Sequence, residues 1–289
     1  MEQEKIKNLI TLFEDFLQQN LLKAESFHPY YEKALNEMLL AGGKRFRPAL
    51  VLAVAEAIDK KRVEAALYPA LAIEMSHTYS LIHDDLPDMD NADFRRSHPT
   101  LHKTYGATAA ILVGDALNTE SFAAIARSPL APEKIAKLAR ILAENAGANG
   151  MVLGQTLDCY FENQRLNLEQ VEFIHRHKTG KLIAAALEMG AVAAGANDDL
   201  AQKLYDIGLR LGLLFQIRDD ILDFQPNMEE QLGKPSNQDV NKNSFVTLLG
   251  EKEARERMRK TRIEIEARIA SETPPSLAKN LTAIADHFF

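Results

Sequence analysis

Apolar residues recur along this chain three and four positions apart rather than in strict alternation, which is the period of helices and not of half-buried strands. Ile6, Leu9, Ile10, Phe13, Phe16 and Leu17 open it with one amphipathic helix. A second is predicted from near Pro29, turning Tyr30, Tyr31, Ala34, Leu35, Met38 and Leu39 inward and stopping at Ala41-Gly42-Gly43. Further helical patterns cover 49–58, 63–83, 105–126, 132–145, 147–160, 167–189, 200–224, 244–270 and 276–287. Pro129 and Pro132 mark one turn, Gln225-Pro226-Asn227 ends a helix, and Thr273-Pro274-Pro275 reads as a linker. The pattern predicts an all-α class: one domain over 1–289, a bundle of roughly ten or more helices around a deep central cavity.

Composition narrows the partners. The 289 residues are 46% hydrophobic and 26% charged, enough apolar material for a sizeable core. A formal charge of −7 argues against a nucleic-acid binder, which needs a basic face to displace counterions. The same charge means that an anionic substrate must be captured by local cations rather than by the overall field. Cys159, alone of its type, is expected to be a small buried hydrophobe in a reducing cytoplasm. MEQEKIKNLI lacks the basic segment and apolar core of a secretory signal, and no apolar run is read as approaching the roughly 18 residues of a membrane span.

Three stretches carry the chemistry. YSLIHDDLPDMDNADFRR, from Tyr79 to Arg96, places Asp84, Asp85, Asp88, Asp90 and Asp93 directly after an apolar helix and directly before Arg95 and Arg96. Like charges this close raise one another's pKa unless a cation intervenes, and Mg²⁺ takes one or two carboxylates together with water and phosphate oxygens. A solvated acidic loop is the plain alternative, but Gln216-Ile217-Arg218-Asp219-Asp220-Ile221-Leu222-Asp223 repeats the design after another apolar run. The third stretch, Gly42-Gly43-Lys44-Arg45-Phe46-Arg47-Pro48, sets three cations on an amide-rich turn at a helix start, which makes either an anion site or a basic surface loop. Pro87 disfavours continued helix, so the part of Asp88 stays open. Asp115 reads as a partner of the acidic site or as an ordinary buried acid, and Gly180 in a strong helical pattern permits a kink.

Together these blocks resemble the trans-isoprenyl diphosphate synthases, most closely the bacterial short-chain farnesyl type, over about 42–250. The resemblance implies an isoprenoid synthase-like fold and Mg²⁺-dependent head-to-tail condensation of isopentenyl diphosphate with dimethylallyl and geranyl diphosphate. Asp84, Asp85, Asp90 and Asp219 match the metal positions. Gly43, Lys44, Arg47, His77 and Arg96 match the isopentenyl diphosphate site, although His77 on an apolar face also reads as a core histidine. Arg95, Lys178, Thr179, Gln216, Lys234 and Lys242 match the allylic diphosphate site, with Asp84, Asp90, Arg95, Lys178 and Asp219 bearing the catalysis. Gln155 and Asp158 match positions in a supporting role.

Tyr79 lies five residues before Asp84, about 7.5 Å down a helix axis, where with Ser80 it would close the floor under a growing hydrocarbon chain. The spacer from Lys234 to Lys242 departs from the bacterial pattern, and Asn243-Ser244-Phe245 stands where Ser/Thr-Thr-Tyr is common. A cytoplasmic homodimer without stable membrane insertion is expected from the resemblance. Geranyl or geranylgeranyl diphosphate synthesis, a terpene cyclase and a non-catalytic helical partner subunit are the alternatives.

Overall fold

The computed structural model describes residues 2–224 and 243–289. Over these the chain runs as α1 (Glu2–Gln19), α2 (Tyr31–Leu40), α3 (Phe46–Ile58), a 3-10 turn (Lys60–Arg62), α4 (Val63–Asp84), a hairpin of β1 (Phe94–Arg95) and β2 (His98–Pro99), then α5 (Leu101–Tyr105), α6 (Ala107–Ala126), α7 (Pro132–Ala146) and α8 (Met151–Tyr160). It continues through α9 (Leu168–His175), a π-helical turn (Arg176–Gly180), α10 (Lys181–Ala194), α11 (Asp198–Asp223), α12 (Phe245–Leu249), α13 (Glu251–Glu272) and α14 (Pro275–Phe288). The all-α reading holds, with three local departures. Gly106, at φ +85°, divides the predicted 105–126 helix, Gly250, at φ +80°, divides 244–270, and the π-turn interrupts 167–189.

The core is built on α10, of which every residue except Lys181 and Glu188 is buried. Its run of alanines presents little bulk, so α3, α4, α7 and α11 all pack against it. α4 lies along α6, and α3 is flanked by α1 and α14. Ile6, Leu9, Phe13 and Leu17 seat α1 on this core as its periodicity requires.

Three expectations are corrected. α6 is long and apolar enough, by composition, to cross a membrane, which the sequence reading denied of any segment; it packs along α4 and on α5 and α7, and leaves Ile111 and Leu112 exposed. Cys159 is exposed, near the end of α8 beside Gln155 and in electrostatic reach of Lys178 and Asp84. Asp115 is also exposed, its carboxylate 3.9 Å from His83 Nε2, so no buried partner is required.

Candidate active site

The apolar run of α4 delivers Asp84 as its last residue, after which Pro87 ends helical hydrogen bonding. The backbone then folds back, and the Asp90 N–H donates to the Asp84 carbonyl at 2.9 Å, bringing these two acids to one lip. Asp88 points outward and is exposed. Asp85 turns inward, where burial pushes its carboxyl up to about 6 despite the Arg95 guanidinium donating to it at 2.9 Å. The resemblance placed Asp85 on a metal and Arg95 on a diphosphate; the structure pairs them with each other.

The turn between β1 and β2 places both Arg96 (φ 54°) and Ser97 (φ 63°) in the left-handed region. Two-residue hairpin turns of this kind favour asparagine and glycine, and holding an arginine there costs of order 1–2 kcal/mol. The strain aims Arg96 at the glycine turn before α3, where its Nη1 donates to the Gly42 carbonyl at 2.7 Å. Gly43 is required on two counts: its φ is +113°, and a Cβ there would lie 2.7 Å from Arg96 Cζ. Sequence periodicity missed this hairpin because each strand is two residues long.

Lys44, Arg47, His77 and Arg96 come together around this turn. Arg47 is buried, its Nε has no hydrogen-bond partner, and burial pulls its pKa down to about 10, with the Arg96 charge adding to the fall and Glu74 opposing it. His77 is held well below the ordinary histidine range by burial and then by the charges of Arg47, Arg96, Arg95 and Arg45. Burial also lowers Lys44, with Arg218 adding to the fall and Asp219 opposing it. Arg45 is the exception in the basic stretch. It is spent on structure, donating to Glu14 at 2.6 Å, Glu74 at 2.9 Å and the Leu39 carbonyl at 2.6 Å.

Lys178 stands beside Asp84, at the acidic lip. It protrudes from the π-turn, a geometry that places backbone and side chains where an α-helix cannot. Two glycines admit the turn: a Cβ on Gly154 would lie 2.1 Å from the Lys178 nitrogen, and one on Gly212 would lie 2.3 Å from Gly180 Cα. Lys178 Nζ bonds Asp158 at 2.7 Å and lies 3.8 Å from Asp84. Burial would lower its pKa, but Asp84 and Asp158 outweigh burial and raise it. Gln155 donates to Asp84, and Thr179 donates to Gln216 at 2.9 Å. Asp219, on α11, lies within electrostatic reach of Lys44 and Arg47. Tyr79 is buried on α4 with its ring edge-on to His83, and Ser80 Oγ donates to the His77 carbonyl at 2.7 Å. Lys234 and Lys242 lie outside the described residues.

Among the described residues no three acids, histidines or cysteines converge closely enough to enclose a metal ion. Asp84 and Asp90 share one lip, an incomplete set of hard oxygen donors. Mg²⁺ accepts such a set, because it keeps waters and takes phosphate oxygens as its remaining ligands. The residues therefore fit that ion, with Asp85 already committed to Arg95.

The profile of the polyprenyl synthetase family matches residues 28–280. The chain is 42% identical over 258 residues to the farnesyl diphosphate synthase of Micrococcus luteus, covering 86% of each. It is 41% identical over 264 residues to a chloroplastic geranylgeranyl pyrophosphate synthase of Arabidopsis thaliana, covering 89% of this chain and 72% of that one. A crystal structure of a Helicobacter pylori geranyltransferase, complexed with magnesium and isoprenyl diphosphate, superposes with a TM-score of 0.94 at 48% identity. That superposition covers 100% of this chain and 97% of the other.

Proposed function

This chain belongs to the polyprenyl synthetase family as a prenyltransferase, and we propose that it builds farnesyl diphosphate by adding isopentenyl diphosphate to dimethylallyl and then geranyl diphosphate. The observation that carries the proposal is the buried Arg47, with no partner for its Nε, set among Lys44, His77 and Arg96 in electrostatic reach of Asp219. A cyclase with a single diphosphate substrate has no use for that second basic cluster.

Asp84, Asp90 and Asp219 would hold Mg²⁺, which would supply neutralising charge to the allylic diphosphate as a leaving group. Lys178 and Arg95 add fixed positive charge at the same diphosphate, placed before the charge develops. Lys44, Arg47, His77 and Arg96 hold the diphosphate of isopentenyl diphosphate so that its double bond faces the allylic C1. As the allylic C–O bond breaks, that double bond forms the new C–C bond, and the departing diphosphate takes the proton lost from the adduct. Positioning both partners replaces a bimolecular encounter and supplies of order 7–11 kcal/mol of the barrier. Tyr79 supports fifteen carbons as the stopping point, since its buried ring lies on the helix that delivers Asp84.

Incubation with both five-carbon diphosphates and Mg²⁺, followed by chromatography of the dephosphorylated products, tests the proposal. A fifteen-carbon alcohol is expected. A twenty-carbon product would favour geranylgeranyl diphosphate, the reading suggested by the plant relative, and no condensation would overturn both. A cytoplasmic homodimer belongs to the same proposal, and sedimentation equilibrium tests its stoichiometry.

A further inference from the structure

The second acidic motif sends its adjacent carboxylates in different directions. Asp219 is in reach of Lys44 and Arg47. Asp220, about 100° further round α11, is buried against α12 with only 8% of its side chain exposed. Its Oδ2 accepts the Phe245 N–H at 2.8 Å, at the first residue of α12. Its Oδ1 accepts Gln216 Nε2 at 3.3 Å, one helical turn back. A carboxylate only accepts, so Gln216 must turn its amide nitrogen to Asp220 and its carbonyl to Thr179, whose hydroxyl proton is thereby used. One chain of hydrogen bonds thus joins the π-turn bearing Lys178 to the start of α12. His175 covers it, its ring stacked on Phe245 at 5.5 Å and its Nε2 3.6 Å from Asp220 Oδ2.

We infer that Asp220 is a positioning residue of the allylic diphosphate site, which holds the Lys178 turn and the start of α12 in register and takes no metal itself. The inference rests on the family reading of that site given above. Thr179, with its proton committed to Gln216, orients the turn and leaves Lys178 as the donor to a diphosphate. The resemblance put Asp219 at a metal position and left Asp220, in the same acidic run, without a part.

Three variants test it: Asp220→Ala, Asp220→Asn and Gln216→Leu, with Asp219→Ala for comparison. Asparagine can keep the chain intact by accepting from Phe245 and donating to Gln216 Oε1, while Gln216 donates to the Thr179 oxygen. Asp220→Ala should raise KM for geranyl diphosphate about tenfold or more, the usual effect of losing a residue that orients a ligand, while KM for isopentenyl diphosphate and the half-saturating Mg²⁺ concentration stay within about twofold. Asp220→Asn should recover most of the loss. In the absence of substrate and metal, amide hydrogen exchange should quicken over both 176–180 and 243–249 in Asp220→Ala, over 176–180 alone in Gln216→Leu, and over neither in Asp219→Ala.

A rise in half-saturating Mg²⁺ matching that of Asp219→Ala would make Asp220 a ligand and overturn the inference. Unchanged exchange over 176–180 in both Asp220→Ala and Gln216→Leu would overturn it as well. If Asp220→Ala does not fold, Gln216→Leu decides by exchange. Absence of prenyl transfer in the unaltered enzyme would remove the family reading alone, and the exchange pattern would still decide whether the chain of hydrogen bonds holds the turn.

Discussion

Replacing Arg47 by methionine sets binding against stability in one side chain. Arg47 is 9% exposed and its Nε has no hydrogen-bond partner. Its nearest countercharge, Glu74, is already held by Arg45 at 2.9 Å and approached by Arg96 at 3.8 Å. The fall of its pKa to about 10 corresponds to about 3 kcal/mol against the charged form. At neutral pH the cation persists in both folded and unfolded chains, so the folded state bears that penalty in full.

A diphosphate repays it through two charge-assisted hydrogen bonds to the guanidinium, each worth about 1.5–3 kcal/mol. Arg47→Met should therefore lower kcat/KM for isopentenyl diphosphate by about a hundredfold or more at saturating geranyl diphosphate, from a loss of about 3 kcal/mol. KM for geranyl diphosphate should hardly move. Methionine fills a similar volume, so the ligand-free protein should melt higher, by about 2–4 °C for each kcal/mol of penalty recovered. Arg47→Lys keeps the charge without the planar fork and should recover only part of the activity. Unchanged isopentenyl kinetics, or a lower melting point with the activity lost, would refute the idea of a cation stored for a substrate.

Tyr79→Ala should open the wall below the acidic lip and yield products of twenty carbons or more, read by chromatography of the hydrolysed diphosphates; Tyr79→Phe should still stop at fifteen. His77, depressed by burial and by Arg47, stays neutral in the folded protein while the unfolded chain protonates near pH 6.5. Folding stability should therefore fall as pH drops below about 6.5, and a pH series of urea midpoints should show that slope reduced in His77→Gln. Arg45→Leu leaves Glu74, 2% exposed, without its main partner and should cost about 3–5 kcal/mol by urea unfolding, a loss that Arg45→Leu with Glu74→Leu should partly restore.

The helices were legible because packing enforces their period, as at Ile6, Leu9, Phe13 and Leu17, and the acidic ends were legible because the same design recurs after two apolar runs. Gly154 marks a close approach to the Lys178 backbone, which apolar spacing does not show. Pairing was not legible. Asp84 and Asp85 are neighbours in one acidic run, yet a single residue step sends Asp84 to Lys178 and Asp85 to Arg95. The kink expected at Gly180 is a π-turn spread over Arg176–Gly180, since an inserted residue leaves no mark in apolar spacing. Exposure of Cys159 and Asp115 depends on which neighbour covers α8 and α6, a property of the assembled bundle.

These pairings make the two halves of the site unequal before any ligand arrives, and the inequality has a measurable consequence. On the allylic side Lys178 is neutralised by Asp158 and Asp84, and Arg95 by Asp85. Among the described residues an anion entering there meets more carboxylate than cation, and a divalent ion on Asp84 and Asp90 would reverse that balance. On the isopentenyl side Arg47 keeps a bare Nε, and its charge and that of Arg96 converge on His77. Fixed positive charge is therefore present without any metal. Inorganic pyrophosphate titrated calorimetrically into the protein with chelator present should bind at one equivalent and lose most of its affinity in Arg47→Met. With Mg²⁺ added, a second equivalent should appear that Arg47→Met retains and Asp84→Asn abolishes. Two equivalents without metal, or one that survives Arg47→Met, would show that the ion pairs on the allylic side do not set the order in which the site can be filled.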